Sequence, residues 1–123
     1  MDSAQPLIAV IDDDASLRRA LVSLLRSEGY GAEGYGSAEA FLAAGDETGP
    51  RCIISDIHMP GLSGIDLKAA LDQRGPSVPV ILITARTEPA LLDRADACGA
   101  AALLVKPFEA EILIASLDRA LAA

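Results

Sequence analysis

The sequence predicts an α/β fold in which a five-stranded parallel sheet is covered by helices on both faces. Short apolar runs alternate with segments of helical periodicity, a pattern typical of βα units. The runs are almost continuously apolar, as expected of strands buried on both faces. Four of them stop at polar residues, and these runs are Leu7–Ile11, Cys52–Ser55, Val80–Ile83 and Ala101–Val105.

The first helix, the second strand and the second helix follow the first apolar run. Asp14 is placed to cap a helix that extends to about Glu28. Gly31–Tyr35 is rich in Gly and only partly apolar, which predicts a weak strand at the edge of the sheet. Ser37 begins a short second helix that ends near Gly45. The first helix has apolar residues at helical spacing, namely Leu17, Ala20, Leu21, Leu24 and Leu25.

The loop after the third predicted strand, Cys52–Ser55, is irregular, because it contains one Pro and two Gly residues from His58 to Gly64. Ser63 and Asp66 have the spacing of a capping box for a third helix that extends to about Gln73.

The last two helices follow the fourth and fifth predicted strands, Val80–Ile83 and Ala101–Val105. Thr87 is a candidate cap for a fourth helix that closes at Gly99. A fifth helix is predicted from about Phe108 to Leu121. No internal repeat, low-complexity tract or linker interrupts this series of five βα units.

Length, composition and charge limit the function. The 123 residues suffice for one domain, which we expect to span residues 1–123. No apolar stretch approaches the roughly 20 residues of a membrane span, and no secretory signal is visible, so we expect a cytoplasmic protein. The net charge of −8 argues against direct nucleic-acid binding, which relies on Lys and Arg.

The two cysteines, Cys52 and Cys98, lack the spacing of a metal or redox motif. We expect both to be buried free thiols in a reducing compartment.

The polar residues that follow the strands indicate a shared site. In parallel sheets, ligands bind in the crevice beyond the carboxyl ends of the strands. We therefore expect three carboxylates, a hydroxyl and an ammonium group to meet there. Such a set suits a divalent metal and a transferable phosphoryl group. The residues are Asp12, Asp13, Asp56, Thr84 and Lys106.

The carboxylates have distinct candidate roles. Asp56 is a candidate nucleophile that forms an aspartyl phosphate, although an Asp at this point could also begin a turn. Asp12 and Asp13 repel each other, and Mg²⁺ would offset that repulsion; the alternative is simple attraction to a helix N-terminus. The backbone carbonyl of His58 could supply another hard oxygen ligand.

The remaining candidates are cationic or hydroxyl groups. Lys106 offers an ammonium group for a phosphoryl oxygen, and otherwise is an ordinary residue at a strand end. Thr84 could donate its hydroxyl to the same group, or be a routine strand residue. The side chain of His58, the one histidine of the chain, is expected to be a solvated surface group. Cis X-Pro bonds are rare, so the sequence alone does not predict one at Pro107.

Taken together, these motifs closely resemble the receiver domain of two-component response regulators, over essentially the whole chain. Residues Leu24–Leu42 look most like FixJ-type receivers. The motifs that carry the resemblance are Asp12-Asp13, Asp56, Met59-Pro60-Gly61, Ser63-Gly64, Thr84-Ala85 and Lys106-Pro107-Phe108.

The resemblance implies a doubly wound, flavodoxin- or CheY-like sheet with strand order 2-1-3-4-5, the order that general fold rules give for CheY itself. It implies that Asp56 accepts a phosphoryl group from a sensor histidine kinase or phosphotransfer protein. Asp13, Asp56 and the His58 carbonyl would bind Mg²⁺, with Asp12 acting through water. Lys106 would contact the phosphoryl group and Thr84 would move toward it.

The same resemblance implies an output. The surface of the fourth helix, fifth strand and fifth helix would change and control a downstream domain or protein, and a phosphorylation-dependent homodimer fits this scheme. FixJ-type proteins carry a DNA-binding domain after the receiver, whereas this sequence stops at Ala123. A stand-alone receiver and a fragment of a regulator both stay open.

One position departs from the family pattern. The switch aromatic of receivers lies three residues before the Lys-Pro pair, and Leu103 occupies that position here. We therefore expect a switch that depends on Thr84 and on backbone shifts.

Two other functions share part of this residue pattern. A haloacid dehalogenase-type phosphohydrolase also uses an Asp nucleophile, but it requires a second Asp two residues later, where His58 stands. A degenerate receiver that binds partners without phosphorylation would be expected to lose acidic residues or Lys106, and this chain retains them. A signalling acceptor that phosphorylates and dephosphorylates itself, and is not a metabolic enzyme, is the favoured interpretation.

Overall fold

The computed structural model describes residues 5–44, 49–75 and 78–122. Within these ranges the chain forms five βα units, as the apolar periodicity predicts. The elements in chain order are β1 Leu7–Ile11, α1 Ala15–Ser27, β2 Gly31–Tyr35, α2 Ala38–Ala43, β3 Cys52–Asp56, α3 Gly64–Gln73, β4 Val80–Thr84, α4 Pro89–Ala97, β5 Ala102–Val105 and α5 Ala110–Ala122.

The five strands form one parallel sheet in the order β2-β1-β3-β4-β5. This confirms the doubly wound topology, with the Gly-containing β2 at an edge and β3 at the centre. All residues of β3 and β4 are buried, because helices cover both faces of a parallel sheet.

Alternate strand residues point into two separate cores. One core packs α1 and α5 against the sheet, with Ile54 and Ile81 at its centre. The other core packs α2, α3 and α4 against the opposite face, with Ile53 and Leu82 at its centre. The two cores therefore fix the register of every strand, since a slip by one residue would exchange their faces.

Two helix caps agree with the sequence. The Asp14 side chain accepts hydrogen bonds from the backbone N–H groups of Ser16 and Leu17 at the start of α1. Ser63 and Asp66 form the reciprocal capping box of α3. These two caps set the points at which the chain leaves β1 and the loop after β3.

Three details of the helices differ from prediction. Helix α4 is preceded by Glu88 and not by Thr87, because Pro89 is suited to the first helical position. Helix α5 begins at Ala110, since Phe108 packs against the α1–α5 core before the helix starts. In α1, Ala20 is exposed although it belongs to the apolar stripe. Helix α2 ends at Ala43, and the predicted end at Gly45 lies outside the described residues.

The cysteines are free, but they are not equally buried. Cys52 is buried in β3, and burial raises the pKa of its thiol to about 12. Cys98 is half-buried at the end of α4, where its thiol donates to the carbonyl of Ala95. The expectation of burial was therefore wrong for Cys98, because a residue that ends a surface helix lies at the margin of the core.

Replacing Gly64 by Ala should destabilise the fold by about 1–3 kcal/mol, the usual cost of overpacking. An added Cβ would lie 2.5 Å from the backbone oxygen of Asp56, so α3 would have to move away from β3. Urea unfolding measures this loss. Gly31→Ala is the control, because a Cβ at that position meets ordinary contacts of 3.6 Å or more. Equal stability of the two variants would contradict the close packing of α3 on β3.

Candidate functional site

The acidic residues meet at the carboxyl edge of the sheet. Strands β1 and β3 are neighbours; Asp12 directly follows β1, and Asp56 is the last residue of β3. One carboxylate oxygen from each of Asp12, Asp13 and Asp56 lies within 4.8 Å of the others. Asp12 is 1 % exposed and Asp56 is 7 % exposed, whereas Asp13 is exposed. The cluster therefore has a buried floor and an open rim.

Lys106 brings one positive charge to this cluster from the loop after β5. Its Nζ lies 3.4 Å from Oδ2 of Asp12 and 3.5 Å from Oδ1 of Asp56. The peptide bond between Lys106 and Pro107 is cis. Because one ammonium group faces three carboxylates, the site keeps a net negative charge and attracts cations.

Asp12 is held in place by hydrogen bonds from α1. Its Oδ1 accepts from the backbone N–H of Asp14 at 2.9 Å, and its backbone carbonyl accepts from Nη1 of Arg18 at 2.7 Å. Gly34 of β2 leaves room for Arg18, since a Cβ there would lie 2.9 Å from Cγ of the arginine. The role of Arg18 is not predicted from the sequence, because no motif indicates a side chain that donates to a backbone carbonyl.

The electrostatics of Asp56 favour a bound cation. Burial raises the pKa of the Asp56 carboxyl, the neighbouring Lys106 lowers it, and the charges of Asp12 and Asp13 raise it further, so that the net shift is upward. Ionisation of Asp56 is therefore less favourable in the protein alone than in an ordinary carboxyl group. A divalent cation reverses this balance, and carboxylate oxygens are the ligands that Mg²⁺ prefers. The residues of the cluster thus fit a Mg²⁺ ion.

Thr84 lies at the same edge, but its hydroxyl is turned to its own loop. It accepts a hydrogen bond from the backbone N–H of Arg86 at 2.9 Å and donates to the carbonyl of Arg86 at 3.2 Å. Strand register places Thr84 one residue beyond Ile83, the partner of Asp56. Thr84 therefore lies at the same edge of the sheet as the acidic cluster, yet its hydroxyl is satisfied by hydrogen bonds within a turn.

His58 differs from its prediction. Its side chain is half-buried and not solvated, and its Nε2 is enclosed without a hydrogen-bond partner among the described residues. The adjacent residues Ile57 and Met59 are both buried in the core formed by α2, α3 and α4. The histidine between them is therefore held close to that core. The role of its backbone carbonyl as a metal ligand stays a prediction.

Leu103, at the position of the switch aromatic, is partly buried. It packs against the core formed by α2, α3 and α4. It sits in the middle of β5, paired in register with Leu82 of β4. A branched aliphatic side chain thus fills a position at which receivers of the family pattern carry a ring.

The topology and the acidic carboxyl edge define a CheY-like α/β domain with a cluster of three carboxylates whose chemistry fits a divalent cation. A sequence model described as "Response regulator receiver domain" matches residues 8–118. The chain belongs to the response regulator receiver domain family of two-component systems. The resemblance noted in the sequence is thereby confirmed.

Relatives and solved structures support the same family. The chain is 40% identical over 114 residues to the transcriptional regulatory protein FixJ of Azorhizobium caulinodans, an alignment that covers 93% of this chain and 54% of that protein. A response regulator receiver protein from Burkholderia phymatum is 40% identical, with a TM-score of 0.83 and 96% of both chains covered. The Vibrio cholerae chemotaxis protein CheY4 is 29% identical, with a TM-score of 0.85, 95% of this chain and 99% of that chain covered.

Two further facts limit what the family implies. The chain spans about half the length of the curated relatives that it matches. Among the described residues, no helix is long and apolar enough to cross a membrane.

Replacing Asp56 by Asn should stabilise the metal-free protein at neutral pH. The pKa of Asp56 is raised in the fold, so folding favours the protonated carboxyl and ionisation opposes folding. This cost is absent well below the ordinary pKa of 3.8 and is fully present above the raised value.

Urea unfolding in the presence of a chelator measures this effect. The advantage of Asp56→Asn over the wild type should grow as the pH rises through the ordinary carboxyl range and level off above the raised pKa of Asp56. A wild type that is the more stable protein at neutral pH would show that Lys106 outweighs burial and the neighbouring carboxylates.

Proposed function

We propose that the protein is a phosphoacceptor switch in which Asp56 receives a phosphoryl group from the phosphohistidine of a sensor histidine kinase or phosphotransfer protein. The observation that supports this most strongly is the position of Asp56. Its carboxylate belongs to a cluster of three acidic groups and lies 3.5 Å from the Lys106 ammonium. Nucleophile, charge compensation and candidate metal ligands thus share one pocket.

Asp56 acts as the nucleophile. One of its Oδ atoms attacks the phosphorus atom, a P–O bond forms and the P–N bond to the imidazole of the donor breaks. Asp13, Asp56 and the carbonyl of His58 would hold Mg²⁺, with Asp12 acting through a water molecule. When bound, Mg²⁺ neutralises charge on the carboxylates and on the phosphoryl oxygens.

Lys106 compensates charge before and after transfer. In the free protein its ammonium group lies between Asp12 and Asp56. Once Asp56 is phosphorylated, a phosphoryl oxygen takes over as its partner, since an ammonium group is a compact donor for such oxygens. The lysine therefore senses whether Asp56 carries the group.

The output depends on Thr84. Its hydroxyl would exchange the Arg86 backbone for a phosphoryl oxygen, which pulls the loop before α4 toward the site. The surface formed by α4, β5 and α5 then changes and is recognised by an output domain, a downstream protein or a second copy. Because Leu103 packs into the core and offers no ring, Thr84 and the backbone carry the change.

Incubation with acetyl phosphate and Mg²⁺ should add one phosphoryl group, because a small phosphodonor needs no kinase surface. Asp56→Asn should abolish the addition, since an amide is not a nucleophile. Intact-protein mass spectrometry measures the change, and Asp93→Asn, an exposed carboxylate on α4, serves as the control. A phosphorylated Asp56→Asn protein would refute the assignment.

Asp13→Ala should weaken Mg²⁺ binding by at least about tenfold. Loss of a residue that merely hydrogen-bonds to a metal ligand already lowers metal affinity about tenfold or more, and Asp13 is proposed as a ligand itself. Isothermal titration calorimetry of the unphosphorylated protein measures the affinity, and Asp93→Ala controls for the loss of one exposed negative charge. An equal loss in both variants would indicate general charge attraction and not a ligand.

A further inference from the structure

A carboxylate of α2 holds the loop that follows the acidic site. Oε2 of Glu39 accepts a hydrogen bond from the backbone N–H of Leu62 at 2.9 Å. The two residues are 23 positions apart and belong to different βα units. The contact is exposed to solvent, and a hydrogen bond to a charged acceptor is stronger than one between neutral groups, so it adds one restraint to the loop between β3 and α3.

Gly61 is shaped for the same contact. Its φ is +82°, a conformation that favours glycine, and a Cβ at this position would collide with the Glu39 carboxylate. The carboxylate thus occupies the space that a side chain would fill. The sequence singles out Leu24–Leu42, which contains Glu39, and the Met59-Pro60-Gly61 segment, and the structure joins the two.

The restrained loop contains the proposed metal ligand His58. Its start is tied to the sheet by Ile57, whose N–H donates to the carbonyl of Ile83 at 2.8 Å. Its end is tied back by Gly64, whose N–H donates to the carbonyl of Ile57 at 3.0 Å. The Glu39 contact falls between these ties and acts on the segment that leads directly from His58 into α3.

We propose that Glu39 is a positioning residue: it holds the loop after β3 in the conformation that presents the His58 carbonyl to Mg²⁺. This rests on the proposed function, because it assumes that the carbonyl is a ligand. Glu39 touches neither the metal nor the phosphoryl group. It acts through the Leu62 amide and the left-handed turn at Gly61.

The test compares Glu39→Ala with Glu39→Gln and Glu111→Ala. Glu39→Ala removes the acceptor, so the Leu62 amide should exchange its proton faster and the affinity for Mg²⁺ should fall about tenfold. Glu39→Gln keeps an acceptor oxygen and should recover most of both losses. Glu111→Ala also removes a glutamate from the first turn of a helix and should change neither quantity.

Three measurements on unphosphorylated protein give the answer. Amide exchange followed by NMR reports on the Leu62 hydrogen bond, calorimetry gives the Mg²⁺ affinity, and thermal unfolding shows that each variant is folded.

The outcomes separate the positioning role of Glu39 from the proposed phosphoacceptor function. Unchanged Mg²⁺ affinity in folded Glu39→Ala protein would overturn the positioning role and leave the phosphoacceptor function intact. A Gln variant that protects the Leu62 amide as the wild type does, yet binds Mg²⁺ as weakly as the Ala variant, would overturn it as well, since the charge and not the position of the loop would then matter. A wild-type protein that binds no Mg²⁺ would instead overturn the proposed function.

Discussion

Three carboxylates and one ammonium group share the carboxyl edge of the sheet, and this charge imbalance is the constraint on which the rest depends. Asp12 and Asp56 are both buried and both rely on Lys106. A buried carboxylate without full compensation is costly, and the raised pKa of Asp56 expresses that cost. A divalent cation at this site would offset that cost, and this is the physical basis of the proposed metal binding.

The fold creates this imbalance through its topology. Residues from β1, β3 and the loop after β5 reach one point because parallel strands end at the same edge. Two well-packed cores hold the strands in register, and the energy of that packing offsets the unfavourable electrostatics. The Thr84 hydroxyl, which changes its partner in the proposed mechanism, lies at the carboxyl end of β4, where the strand passes into a loop.

The apolar periodicity was sufficient for the architecture. Continuous runs such as Val80–Ile83 fixed the central strands, and the glycines of β2 marked an edge. Four residues of the candidate site were predicted to meet because each stands at the end of a strand, and the structure brings them together: Asp12, Asp13, Asp56 and Lys106. The predicted cap of α4, Thr87, was wrong by one residue, because the helix begins at Pro89 and Glu88 precedes it.

Hydrogen bonds from side chains to backbone groups could not be predicted from the sequence. Arg18 and Glu39 both bond to backbone groups, and backbone partners leave no trace in residue identity. The inward position of His58 follows from the burial of Ile57 and Met59 on either side, which depends on how the loop folds back on the core. Local pattern thus predicted the residues of the site, whereas tertiary packing determined their supports.

A crystal structure with Mg²⁺ and beryllofluoride, a phosphoryl mimic, tests the central claim most directly. The account predicts Mg²⁺ bound by Asp13, Asp56 and the His58 carbonyl, with the mimic on an Asp56 oxygen and in contact with Lys106. The Thr84 hydroxyl would have left the Arg86 backbone for a fluorine atom. A mimic bound elsewhere, or a metal that avoids these carboxylates, would contradict it.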